Sequence, residues 1–176
     1  MVGRVYADES KARDYLLVAA VVLPTDATLV RKGVRSLILP RQERVHMVAE
    51  SDSRRRQVLS TLQELNVGAT VYRAQGRHRT QLTARKACLE RIVQDMAVAR
   101  HEHLTLESDS TQDQRDRQTL IEATRRFNCR GSLTYEHLAA RHEPLLIVPD
   151  AIAWAFARGG EWAPRVQPLI VGVIDV

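Results

Sequence analysis

Apolar and polar positions follow two rhythms along this chain. Arg4 to Ala7 and Tyr15 to Leu23 are dense in Val, Tyr and Leu and read as two strands, joined as a hairpin by the polar stretch Asp8 to Asp14. Pro24 ends the second. Leu29, Val30, Val34, Leu37 and Ile38 then recur with helical period up to Pro40, and Val58, Leu59, Leu62 and Leu65 do so again behind a Ser51-Asp52-Ser53 cap. Val67 to Tyr72 is a third strand opened by Gly68, followed by a longer helix marked by Leu82, Leu89, Ile92, Val93 and Met96. His103 to Ser108 is a fourth strand. Ser110 or Thr111 then caps a helix with Asp113 and Asp116 in its first turns, where the positive end of the helix dipole favours them, and with Leu120, Ile121 and Phe127 on its apolar face. Gly131 to Tyr135 gives a fifth strand. The run Leu145 to Val148 leads into Pro149, suited to a helix start, and Ala151 to Ala157 continues it. Strands first, then strands alternating with helices, is the pattern of an α/β protein with a mixed sheet.

No repeat, low-complexity block or linker divides the sequence, so one domain over 1–176 is expected. At 44% hydrophobic and 27% charged residues the chain has a globular composition and needs no disulfide to hold a core. Cys88 and Cys129 lack a C-x-x-C partner and read as small core hydrophobes in a reducing compartment. No basic segment followed by an apolar one opens the sequence, and no apolar run is long enough to span a bilayer, which predicts a cytoplasmic protein.

Charge adds a direction. Lys and Arg number 26 against 21 Asp and Glu, a net +5 that favours a polyanionic partner. The excess is concentrated: eight basic residues lie between Arg31 and Arg56, and five between Arg73 and Lys86 with no acid among them. Arg54, Arg55, Arg73, Arg77, Arg79 and Lys86 are therefore candidate phosphate contacts, although long basic side chains also simply solvate helix surfaces. Aromatics at 5% argue against a stacking platform for single strands.

The candidate chemistry lies in carboxylates at element ends. Asp8 and Glu9 follow the first strand, Glu107 and Asp109 close the fourth, and Asp150 falls in the first turn of the last helix. Glu107 and Asp109 are two apart and would share a side of the strand, opposite Leu104 and Leu106. Each acid alone has a structural explanation as a turn or helix-end residue. Brought together they would repel and lose hydration, a conflict that a cation resolves. Oxygen ligands without a Cys/His cluster select Mg²⁺ or Mn²⁺ over zinc.

The segments VYADES and YLLVAAVVLP, then ERVHMVAESDSRRRQVL, LTLESDS and PLLIVPDAIAWAFARG, together resemble the domain of unknown function 3800 family of the ribonuclease H-like superfamily. Pro149 stands where that family usually has Ala before the Asp, and Lys11 where many members have Gly; neither change removes a carboxylate. The resemblance implies a five-stranded mixed sheet flanked by helices, with one acid on the central first strand, one at the end of the fourth and one on the last helix. Asp8 matches the first and Asp150 the third, while Asp109 and Glu107 both remain open for the second. Glu9 would point to the opposite side of the strand from Asp8.

The activity implied is a divalent-metal-dependent nuclease that hydrolyses phosphodiesters by a two-metal mechanism. His46 is a candidate proton shuttle, since imidazole titrates near neutrality, and is equally compatible with a surface histidine beside a loop. Two other readings stay open: an inactive nucleic-acid-binding module of a defence or mobile-element system, and a metal-dependent hydrolase of small phosphate esters. No Walker-type Gly-rich loop exists, which counts against an ATPase.

Overall fold

The computed structural model describes residues 1–76 and 78–176, and Arg77, one of the candidate phosphate contacts, lies outside them. The hairpin is present as β1 (Arg4–Ser10) and β2 (Tyr15–Val22), paired antiparallel with Asp8 opposite Val18. There follow α1 (Ala27–Ser36), α2 (Asp52–Glu64), β3 (Ala69–Ala74), α3 (Gln81–Ala99), β4 (His103–Glu107), α4 (Asp113–Arg126), β5 (Thr134–Leu138), α5 (Ile147–Arg158), α6 (Trp162–Val166) and β6 (Ile170–Asp175). The sheet is mixed, in the order β5-β4-β1-β2-β3-β6. β1 pairs parallel with β4 and β4 with β5, whereas β2 pairs antiparallel with β1 and β3.

The expected five strands are corrected to six by β6, which pairs parallel with β3 at the far edge. The fifth strand also lies further along than predicted. Cys129 to Leu133 close a turn in which the Cys129 carbonyl accepts from Ser132 and Leu133 N–H, so extended backbone starts only at Thr134.

Pleating divides the sheet residues between two cores. Tyr6, Leu16, Val18 and Val71 face α1, α2 and α5, while Val5, Ala7, Leu17 and Tyr72 face α3 and α4. The helices begin where chemistry allows. Ser51 Oγ accepts from Arg54 N–H to cap α2, and Thr80 and Thr83 exchange side-chain and backbone bonds in a capping box on α3. Leu29 and Leu82, read from sequence as members of apolar faces, are instead 63% and 44% exposed. Val30, Val34 and Leu37, and Leu89, Ile92 and Val93, supply the burial that holds those two helices.

Both cysteines are free and buried. Burial pushes the Cys88 thiol up to about 12, so it behaves as a small core residue. No helix among the described residues is long and apolar enough to cross a membrane.

Candidate metal centre

Alternation along β1 sends Tyr6 and Asp8 to the α5 side of the sheet and Ala7 and Glu9 to the other. In the parallel register Ala7 stands opposite Leu106, so one residue further on Asp8 and Glu107 share a face on adjacent strands. α5 packs across β1 and β2 on that face, and its first turn delivers Asp150. These acids line a cleft of about 720 Å³ with Lys11, Arg44, His46, Asp109, Trp154 and Arg158.

The Asp8 carboxyl is held well above the usual carboxylate range. Burial is the largest cause, followed by the charges of Glu107 and Asp150; Glu107 lies close enough to hydrogen-bond it when one of the two is protonated. A bond from Glu9 N–H at 2.7 Å offsets part of this. Asp150 is buried, and its Oδ2 accepts from Met47 N–H at 2.9 Å. His46 Nδ1 faces Asp150 Oδ1 at 3.5 Å, too long for a hydrogen bond but close enough for the carboxylate to raise the imidazole. Glu107 is ion-paired with Arg44.

Asp109 is placed differently. β4 ends at Glu107, and in the turn beyond it Asp109 Oδ1 accepts from the Thr111 N–H at 2.9 Å and hydroxyl at 2.7 Å, bonds that hold the carboxyl below its usual range. It stays at the rim of the cleft and does not share the face of Glu107 along a strand. The helix cap expected of Ser110 or Thr111 is absent: α4 starts without a side-chain cap, and Asp113 instead ties down the preceding turn by accepting from Asp109 N–H and Ser108 Oγ.

On the opposite face of the sheet a second cluster forms beneath α4. Among the described residues, Asp113, Asp116 and His137 bring ligand atoms within 4.8 Å of one another, closer as a set than Asp8, Glu107 and Asp150 come. Its electrostatics are those of an ion-pair network. Arg85 donates Nε and Nη2 to Asp116 at 2.7 Å each and Nη1 to Glu9 at 2.6 Å, and Tyr15 hydroxyl joins Glu9 and Arg85. Burial alone would raise the Asp116 carboxyl, but the Arg85 fork and His137 hold it below the usual range. A second cation there would meet the Arg85 charge.

Of the predicted basic residues that are described, none lines the acid cleft. Arg54 donates to Leu37 O and Gln57, and Arg55 to Met47 O at 2.8 Å and Val48 O at 2.9 Å while stacking over Trp154. Both guanidinium groups thereby hold the segment that carries His46 and Met47. Arg73 pairs with Asp175 at the sheet edge, and Lys86 with Glu122. Arg79 lines a smaller cleft of about 250 Å³ that shares Lys11 with the larger one. The cationic residues lining the acid cleft itself are Lys11, Arg44, Arg85 and Arg158. None of the four is among the candidate phosphate contacts read from the sequence, although Asp150, Trp154 and Arg158 recur at the four-residue spacing of one helix face and Arg44 stands two before His46.

No known protein family and no curated protein matches this sequence. Among solved structures the fold is similar to RNase HII of Archaeoglobus fulgidus, determined in complex with PCNA. The TM-score is 0.57 at 15% identity over 90% of this chain and 73% of that one. The class defined is the ribonuclease H-like α/β fold, here with six strands in its sheet.

Proposed function

We propose that this protein is a divalent-metal-dependent nuclease of the domain of unknown function 3800 family. The observation that carries the reading is Asp8: a half-buried carboxylate grouped with two other acids in the lining of a cleft, on the strand that the sheet places at its centre. The donor set is all oxygen and suits Mg²⁺ or Mn²⁺, with Asp8, Glu107 and Asp150 as the residues that would hold the ion and Asp109 at the rim as a further acid. A hard divalent ion held there supplies activation of a water and stabilisation of the leaving oxygen.

The chain's own groups do the rest. Met47 N–H and Arg55 fix the position of Asp150. His46, kept protonated to higher pH by Asp150, holds a proton at the cleft wall for the departing oxygen. Lys11, Arg158 and, through the adjoining small cleft, Arg79 give a phosphate path past the acids.

Calorimetric titration with Mn²⁺, paired with cleavage assays in Mg²⁺ on labelled RNA, DNA and hybrid, tests this reading. Asp150→Asn is expected to weaken Mn²⁺ binding about tenfold or more and to abolish cleavage. A wild-type protein that binds no ion ends the proposal, and one that binds the ion but hydrolyses only mononucleotide esters favours the small-ester reading. In Ca²⁺, log affinity for duplex should fall with log salt by about 0.9 per phosphate contact, and Lys11→Ala with Arg158→Ala should lower that slope by up to about two units. Arg54→Ala, whose donors go to Leu37 and Gln57, should leave the slope unchanged. The reverse pattern would move the path to α2.

A further inference from the structure

The segment between α1 and α2 arches over the acid cleft in a two-residue alternation. Val45 and Met47 are buried in the core, so Arg44 and His46 face the other way, into the cleft. The segment is pinned at both ends: Arg54 bonds the Leu37 carbonyl at its start, Arg55 bonds Met47 and Val48 carbonyls near its end, and Met47 N–H donates to Asp150. Arg44 itself takes no part in that pinning. Its Nη1 pairs with Glu107 Oε1, and both side chains remain partly exposed, at 29% and 21%. A pair this wet contributes about 0–1 kcal/mol to stability, so a folding role accounts poorly for its position.

Its electrostatic role is larger. Asp8, Glu107 and Asp150 place up to three negative charges around one space, and Arg44 is the permanently charged group bonded to one of them. Arginine keeps its charge at any working pH, and its planar fork matches a phosphate as well as a carboxylate. With one nitrogen engaged on Glu107, the remaining N–H donors of the guanidinium are available on the cleft side.

Building on the nuclease reading, we propose that Arg44 is a displaceable counter-cation: it holds Glu107 in the ion-free protein, yields the carboxylate to a divalent ion, and then binds a phosphate of the substrate strand. The two halves have opposite signatures in one variant. Arg44→Ala removes a positive charge beside the ion site, so Mn²⁺ alone, measured by calorimetry without substrate, should bind tighter by about tenfold. The same variant in Ca²⁺ should bind duplex more weakly, with the salt slope reduced by about one unit. Arg44→Gln, which keeps the bulk of the side chain, should behave alike and covers the case in which the alanine variant folds poorly.

Mn²⁺ affinity that is unchanged or weaker in the variants, or an unchanged salt slope, overturns the proposal. The nuclease reading fails separately: if the wild type binds no Mn²⁺, the metal centre itself is wrong and Arg44 has nothing to yield to. If the wild type binds Mn²⁺ and the Arg44 variants bind it equally, only the role of Arg44 falls.

Discussion

Asp8→Asn is expected to lose Mg²⁺-dependent cleavage by at least about a thousandfold, the rate equivalent of the several kcal/mol that ion-assisted charge stabilisation provides. The same substitution should leave the ion-free fold intact or raise its melting temperature, because it removes one of three mutually repelling acids. The pH dependence follows from the raised carboxyl of Asp8. In the unfolded chain this group ionises near pH 4, whereas in the folded chain it resists ionisation to higher pH. Stability contributed by the protonated form is therefore complete below the unfolded value and is lost as pH rises through the folded one. The advantage of Asp8→Asn should appear at neutral pH, at about 2–4 °C per kcal/mol relieved, and vanish below pH 4. Thermal melts across pH without and with Mn²⁺ check this, since the ion should restore the wild type and not the variant. Undiminished cleavage would remove Asp8 from the centre, and a collapsed melting temperature would make it a structural residue of β1.

Arg85→Ala should be the most destabilising of the substitutions considered. Arg85 and Asp116 are buried, at 6% and 2% exposure, and removing the guanidinium strands the Asp116 charge and breaks the tie to Glu9 and Tyr15. Breaking such a pair from one side costs about 3–5 kcal/mol, which corresponds to a fall of about 6–20 °C here. Replacing both partners, as Arg85→Met with Asp116→Leu, should recover part of the loss because no buried charge is then orphaned. Glu9 neighbours Asp8 on β1, so the single variant should also weaken Mn²⁺ binding as the strand end loses its anchor. A loss below about 1 kcal/mol would show the network to be solvated and dispensable.

The sequence carried the α/β order, the hairpin and the face on which Asp8 lies, because period-two alternation and apolar helix spacing are local properties. β6 was not legible. Ile170, Gly172 and Ile174 alternate with Val171 and Val173, so apolar side chains fall on both faces, and Pro168 just before them masks the start. Leu29 and Leu82 misled for the converse reason: a periodic apolar residue fits a helix face whether or not a neighbour covers it. At the site, chain position placed Asp8 and Asp150 on suitable elements. The difference between Glu107 and Asp109 depends on where β4 stops and on the Thr111 bonds that turn Asp109 aside. The intramolecular duties of Arg54 and Arg55 were invisible for the same reason, since their acceptors are carbonyls brought near by the tertiary fold.

The three acids come from β1, β4 and α5, with β4 crossing back to lie parallel beside the first strand. The hairpin of β1 and β2 can close early, because its loop is short, whereas the β1 to β4 pairing and the seating of α5 must each close a long stretch of chain. During synthesis, then, Asp8 leaves the ribosome long before either of its companions. The nascent hairpin holds Asp8 without Glu107 or Asp150 beside it. On the nuclease reading, the ion site would be complete only once α5 has been made and seated, so the growing chain would lack it for most of its synthesis.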